Sequence, residues 1–348
     1  MTNCLKLILV SVVVALASQQ LMSQDIVFTQ FDQSPLTLNP ALSGVFDGKI
    51  RLRGNYRNQW SQILRGDAYN GGSLSVDGRV KVGDNSIGVG AYGLLDRAGE
   101  LNFGNTQGGI SIAFIKEFSQ AEDVRHFLSF GQEVGVVQKN VDLNGARWPS
   151  QHDGNGGFDP TIEVTTTSVR TEFTHLDLTS GLFWISQFSG HNAFNLGIAV
   201  HHINRAEVNF FEAESQSLAT RLTLHGGGEV ALGQQLSLTP GFAYHMQSEH
   251  NAIQIGTGIR KYFSSGVPSC YLDFGLHIRS SNGVNGSEIT SIIGIISAQL
   301  KGFSIGVSFD NPNNELGSQG TYNGAFELSL GYVIGAGSYS QKPISAEK

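Results

Sequence analysis

Leu236-Ser-Leu-Thr-Pro240-Gly-Phe-Ala-Tyr244-His-Met-Gln247 is the stretch that carries the fold. Its even positions are Leu236, Leu238, Pro240, Phe242, Tyr244 and Met246, and its odd positions are Ser237, Thr239, Gly241, Ala243, His245 and Gln247. Successive side chains of a strand point to opposite sides, so this segment is a strand with one apolar face and one small or polar face. The pattern returns from Cys270 to Arg279, where Leu272, Phe274, Leu276 and Ile278 oppose Tyr271, Asp273, Gly275, His277 and Arg279. Phe194, Leu196, Ile198 and Val200 form another such face, as do Phe303, Ile305, Val307 and Phe309, and Phe326, Leu328, Leu330 and Tyr332. Helical periodicity is confined to the first residues of the chain.

Working outward, the alternation predicts about fourteen strands of roughly ten residues, near 49–59, 68–80, 86–95, 101–117, 124–139, 172–187, 192–202, 218–232, 235–247, 250–262, 269–280, 287–299, 301–309 and 320–334. The number is even, and the length suits a tilted strand crossing a bilayer. The links sort by length. With the N-terminus taken as periplasmic, 81–85, 118–123, 188–191, 233–234, 263–268 and a tight turn at Lys301 fall on one side, and all are short. The other side receives 60–67, 96–100, 140–171, 203–217, 248–249, 281–286 and 310–319, including the three longest. A soluble sandwich has no reason to sort its loops this way. The expected fold is all-β, a transmembrane antiparallel barrel closed so that every backbone polar group pairs strand to strand.

Composition agrees. The 348 residues include 44 glycines, 8 prolines and 2 cysteines, with 15% charged and 40% hydrophobic. Glycine is almost twice its usual share and charge is well below the usual one. With 29 acidic against 22 basic side chains the formal charge is −7, and there is no basic run. A nucleic-acid partner is therefore not expected, because such affinity comes largely from Lys and Arg on phosphates.

Met1 to Ser23 reads as a secretory leader, with Lys6, an apolar run from Leu7 to Leu16, and then small and polar residues. That run is too short to span a bilayer as a helix. Cleavage is expected after Ser23, and loss of Cys4 with the leader leaves Cys270 alone and no internal disulfide. The expected division is a leader at 1–23, a plug-like or periplasmic segment at 24–48, the barrel at 49–334 and a tail at 335–348.

Two well-known patterns occur in the wrong context. Gly88-Val-Gly90-Ala-Tyr-Gly93 matches a dinucleotide fingerprint, which needs a helix after it to meet the pyrophosphate; here alternation continues. Gly302-Phe-Ser304-Ile-Gly306 matches a nucleophile elbow, but Val307, Ser308 and Phe309 prolong a strand. His201 and His202 are adjacent, so in a strand they are expected to face opposite sides. His225, His245, Asp273, His277 and Arg279 fall on small or polar faces and are expected in the lumen, as structural hydrogen-bonding groups. His152-Asp-Gly-Asn-Gly-Gly-Phe-Asp159 lacks the fifth-position ligand and final Glu of an EF-hand, so it reads as a Gly-rich loop. No catalytic residue, cofactor site or metal site is expected.

The residues after the leader are the most specific. Gln24-Asp25-Ile26-Val-Phe28-Thr29-Gln30-Phe31 is followed by Pro35-Leu-Thr-Leu-Asn39-Pro40-Ala41-Leu-Ser-Gly44, and then by Asn55-Tyr56-Arg57-Asn58-Gln59-Trp60. This resembles the PorP/SprF family of outer-membrane proteins, associated with type IX secretion and gliding in Bacteroidota. Ile26 stands where that family commonly has Pro, and Thr29 where it has Ser. Weaker echoes are Asp96-Arg97-Ala98-Gly99, Ser308-Phe309-Asp310 and Gly324-Ala-Phe326-Glu327-Leu328-Ser329-Leu330-Gly331-Tyr332, so the likeness spans nearly the whole mature chain.

The resemblance implies an outer-membrane barrel that works with the type IX apparatus to export or hold a secreted surface adhesin carrying a C-terminal sorting domain. The outer links offer Trp148 and Phe158 in 140–171, and Phe210 and Phe211 in 203–217, either as anchors for that partner or as a lid packed on itself. The apolar residues of 24–48 favour tucking into the barrel, with Pro35 and Pro40 holding the segment extended. The Asn39-Pro40-Ala41 element is also similar to FadL-type fatty-acid channels, which have fourteen strands. The runner-up function is a transporter for hydrophobic compounds.

Overall fold

In the computed structural model, residues 25–336 are described except 65–67, 122–123, 144–145, 147, 153–156, 158, 160, 163–169, 189–191, 211–216, 264–269, 284–285 and 314–323. Residues 1–24, which include the expected leader at 1–23, and residues 337–348 of the expected tail thus lie outside the described residues. The strands are β1 (Ile50–Gln59), β2 (Tyr69–Val82), β3 (Asn85–Ala98), β4 (Phe103–Ala121) and β5 (Val124–Asn140). Then come β6 (Glu172–Phe188), β7 (Ala193–His201), β8 (Arg221–Ala231), β9 (Leu236–Gln247) and β10 (His250–Tyr262). The last are β11 (Cys270–Gly283), β12 (Gly286–Leu300), β13 (Phe303–Pro312) and β14 (Ala325–Ile334). Each pairs antiparallel with its sequence neighbours, and β1 pairs with β14, so the sheet closes into a barrel of fourteen strands with no free edge. The expected strand count and topology hold.

Alternation sets what each face meets. On β11, Phe274, Leu276 and Ile278 project outward while Asp273 and His277 are buried inside. Leu74, 73% exposed, and Ile110, 67% exposed, lie on the same outer surface, where lipid replaces water and charge is costly. β4 runs on to Ala121 rather than stopping at 117, since Phe118 prolongs its outward apolar row. The β8–β9 ladder lapses between Gly227↔Gly241 and Val230↔Leu238, where Pro240 has no N–H to give. No helix among the described residues is long and apolar enough to cross a membrane.

The links again separate by rim. After β2, β4, β6, β8, β10 and β12 the chain turns back quickly, whereas the segments after β5, β7 and β13 are long. In outer-membrane barrels the short turns face the periplasm, which puts the strand ends joined by the long links, at Asn140 and Glu172, His201 and Arg221, and Pro312 and Ala325, at the outer rim.

Residues 25–44, ahead of β1, lie inside the barrel. They form short helical turns at Phe31–Gln33, Pro35–Leu38 and Pro40–Leu42, and Leu36, Leu38 and Ala41 are buried. The expectation of an extended plug is therefore corrected. Pro35 and Pro40 each begin a helical turn, because proline's fixed φ suits the first helical position and its missing N–H is not needed there. Phe28 and Leu36 pack with Tyr92 and Leu94 of β3, giving a small apolar core in the lumen.

Candidate functional site

The plug and the wall around it form the candidate site, and three sets of contacts hold them together. At the periplasmic end, Arg51 grips Asp77 through two hydrogen bonds of 2.9 and 2.8 Å and donates to the Leu42 carbonyl at 3.0 Å. The Asp77 carboxylate also accepts the Gly44 N–H at 2.7 Å. Gly44 takes φ +73, and a Cβ there would lie 2.8 Å from both Arg79 Cβ and Gly88 Cα, so only glycine suits this turn.

At mid-height, Asn39 is fully buried. Its amide donates to the carbonyls of Leu182 at 3.0 Å and Ile198 at 3.3 Å, and it lies 3.0 Å from His225 Nε2. Its side-chain oxygen accepts the Ala41 N–H at 2.9 Å, capping the Pro40–Leu42 turn. The wall here is glycine: a Cβ on Gly131 would sit 2.3 Å from Ala41 N, and one on Gly181 would sit 1.9 Å from Asn39 Oδ1.

In the outer half lies a buried ionic cluster. Glu327 of β14, with no exposure at all, accepts the N–H of Thr29 at 2.7 Å and of Gln30 at 2.8 Å. Arg57 of β1 reaches Glu327 at 3.3 Å and Asp310 of β13 at 2.9 Å, and also donates to the Thr29 hydroxyl. Arg279 of β11 donates to Asp310 at 2.7 Å, to Thr29 at 2.8 Å and to Gln254 at 2.9 Å. Gln254 in turn donates to the Thr29 carbonyl at 2.9 Å. Each buried charge has an opposite partner, as burial demands.

The sequence-selected residues divide accordingly. Phe28, Gln30, Pro35, Asn39, Pro40, Ala41 and Gly44 are buried at the plug–wall boundary, and Phe31 meets the His277 ring edge-on at 6.5 Å. Asn55 donates to the Gln33 carbonyl at 3.1 Å, and Arg57 joins the cluster just described. Tyr56 faces outward and bonds Asn70 at 3.0 Å, Asn58 reaches the same Asn70 at 2.6 Å, and Trp60 packs on Tyr69. Gln59 ends β1 opposite Ala325. His225, His277 and Arg279 meet the plug. His245 bonds Thr223 at 3.1 Å, and Asp273 serves a separate cluster with Arg260 at 2.9 Å. At the outer links, Phe210 packs between Phe103 and Phe173, as a lid residue does, and Trp148 is half-buried. Phe158 and Phe211 lie outside the described residues, as does most of the Gly-rich run 152–159.

One expectation fails. His201 and His202 do not face opposite sides: both are buried, with ring centroids 6.3 Å apart. β7 stops at His201, and His202 adopts φ +57, which turns its ring back into the lumen. Among the described residues no group of three or more His, Cys, Asp or Glu is placed to hold a metal. A cavity of about 20 Å³ lies between the plug and β3, β4, β5, β7 and β8, lined by Tyr92, Asn105, Glu133, His201 and Arg221 among others. It has room for a water and not for a hydrocarbon.

Sequence reasoning did not single out Arg51, Asp77, His202, Asp177, Arg221, Gln254 or Glu327 as plug partners. The available signal was the occurrence of charge on the inward parity of strands whose other face is apolar.

Residues 21–332 match the family described as type IX secretion system membrane protein PorP/SprF. The chain belongs to the PorP/SprF family. It is thus a secretion-related barrel of the outer membrane. No curated relative matches it. Among solved structures it is similar to a Pseudomonas aeruginosa FadL homologue, with TM-score 0.42, 11% identity, and 84% of this chain and 92% of that one covered. It is also similar to the Pseudomonas putida toluene transporter TodX, with TM-score 0.42, 8% identity, and 89% and 94% covered. With CdiB from Acinetobacter baumannii the TM-score is 0.42 and the identity 8%, and 82% of this chain spans only 60% of that one. Likenesses this distant carry no function across and do not favour the transporter.

Proposed function

We propose that this PorP/SprF barrel is an accessory of type IX secretion that helps export or anchor a partner surface adhesin bearing a C-terminal sorting domain, in the service of attachment or gliding. The observation that carries the reading is the plug held inside the barrel. With residues 25–48 fixed to the wall at three levels, the barrel acts through its rims and not as a conduit. The long links between β5 and β6, β7 and β8, and β13 and β14 join strands at the outer rim, the natural surface for a protein partner. Export through a leader at 1–23 belongs to the same proposal.

The test is a pull-down in mild detergent from the native membrane, read by mass spectrometry. The expected result is recovery of an adhesin with a sorting domain together with type IX components. Deleting 140–171 or 203–217 should cut that recovery about tenfold, the loss of one or two well-packed anchors. Recovery of neither class of protein from a folded barrel would overturn the proposal.

A further inference from the structure

The outer end of the plug is held by a histidine in an unusual position. His202 directs Nδ1 at Asp177 of β6, 2.8 Å away, and Nε2 at Asp25 of the plug, 2.6 Å away. A neutral imidazole carries one N–H, and an ionised carboxylate only accepts. Satisfying both carboxylates at once therefore requires the doubly protonated ring. Asp25 is held from a second side by Arg221 of β8 at 2.9 Å.

His202 is also the first residue of the 202–220 segment. Its carbonyl accepts the Thr220 hydroxyl at 3.5 Å, joining the two ends of that loop. The next residues dock on β6: Ile203 N–H reaches the Leu178 carbonyl at 3.0 Å, and Asn204 donates to the Leu176 carbonyl at 2.7 Å. One ring thus ties together the wall, the base of an outer loop and the first residues of the plug.

We infer that His202 is a cationic latch: its imidazolium holds residues 25–28 against the outer wall, and neutralising it releases that end of the plug while the deeper contacts stay. Losing a proton leaves one N–H for two carboxylates, and turns a ring lone pair toward the other. Arg221 keeps part of the hold on Asp25, so the release is local. The other titratable or charged groups around the ring are Asp177 and His175 on β6, Glu133 and Lys139 on β5, Tyr92 and Asp96 on β3, His201 on β7 and Arg221 on β8.

The electrostatics set the window. Burial alone would push the His202 ring down, but Asp25 and Asp177 outweigh it and raise its pKa to about 9. Burial likewise opposes charge on Asp25, and Arg221 and His202 outweigh it, holding that carboxyl well below the usual range. A pKa raised above the ordinary value of about 6.5 gives a hold that is complete below about pH 6.5 and is lost as pH climbs through about 9.

The experiment places one thiol at the latch: Ile26→Cys, with Cys4→Ser and Cys270→Ser, in the otherwise complete protein. Labelling by a membrane-impermeant maleimide is measured from pH 6 to 10, relative to the urea-unfolded chain at the same pH, which removes the thiolate's own pH dependence. The parent should be protected at pH 7 and lose protection up to about tenfold per pH unit above pH 9. His202→Gln, which cannot become cationic, should be less protected than the parent at pH 7 and flat across the range. Asp25→Asn removes the plug's end of the latch without touching the wall and should behave the same way, and it serves as the readout if His202→Gln fails to fold. Equal protection in parent and variants would overturn the latch. So would a pH-dependent loss that persists unchanged in both variants.

Discussion

Replacing Gly131 by leucine should turn a closed barrel into an ion-conducting one. Gly131 faces the lumen from β5 at mid-height, and a Cβ there would lie 2.3 Å from Ala41 N, 2.4 Å from Pro40 C and 2.6 Å from Ala41 Cα. All three are backbone atoms, so no rotamer change in the plug relieves the overlap. The wall cannot retreat either, because Gly131 pairs with Ala113 on one side and Gly181 on the other within continuous ladders. Overpacking a well-filled interior costs about 1–3 kcal/mol or more. What opposes it locally are the three Asn39 contacts to the wall, about 1 kcal/mol net each, whereas a Cβ 2.3 Å from fixed backbone is an overlap that forces one side to move. The plug should therefore leave its seat at 39–42 while the barrel stays folded. Planar-bilayer recording should find the parent silent and Gly131→Leu steadily conducting. Gly181→Leu should act alike, since its Cβ would meet Asn39 Oδ1 at 1.9 Å. Gly93→Leu is the control: Gly93 lies on β3 but has nothing within 4 Å of its Cβ position, so that variant should stay silent. Silence in a folded Gly131→Leu barrel would mean that the plug does not seal the lumen.

This contrast between glycines changes what the composition means. From sequence, a lumen lined by small residues followed from alternation alone. Their reason is the plug: Gly88 makes room for the Ser43 carbonyl and Gly306 for the Gln30 side chain, where a Cβ would sit 1.9 and 2.0 Å away. The Gly88-Val-Gly90 pattern that mimics a nucleotide fingerprint is part of this seat, and Gly90 faces Leu36.

The strands and the rims were legible because lipid and lumen impose a period of two on every crossing, and because loop length follows rim. The plug's partners were not. Alternation tells which face Glu327 or Asp310 occupies, but not that either meets Thr29, almost the whole chain away. Pro35 and Pro40 misled for a local reason: proline suits an extended chain and the first turn of a helix equally, and the Asn39 cap decided for the turn. His202 misled because a strand that ends one residue early reverses the parity of the next side chain. The Asn55–Trp60 stretch was legible as a family signature, yet it divides between two tasks. Asn55 and Arg57 hold the plug, while Tyr56 and Trp60 face away from it.

Removing the Glu327 carboxylate should be among the most destabilising single changes in the molecule. On β14 Glu327 is directly opposite Arg57 of β1, at the seam where the barrel closes. Glu327→Leu strips an acceptor from two plug N–H groups and from the Arg57 guanidinium, in a place without exposure to water. Breaking one side of a buried ion pair costs about 3–5 kcal/mol, because the remaining charge stays buried. Asp310 still faces Arg57 at 2.9 Å, which places the expected loss toward the lower end of that range. Glu327→Gln keeps one carbonyl acceptor, so it should cost less than Glu327→Leu, of the order of the 1–3 kcal/mol for an unsatisfied buried donor. The decisive comparison is Arg57→Leu combined with Glu327→Leu. With both charges gone no uncompensated one remains between them, so the double variant should lose clearly less than the sum of the singles. Urea midpoints of the detergent-solubilised protein measure all four. If the two single losses add within about 0.5 kcal/mol, Glu327 and Arg57 do not act as a pair. In that case the plug's outer half would be held by its apolar contacts to Tyr92 and Leu94 instead.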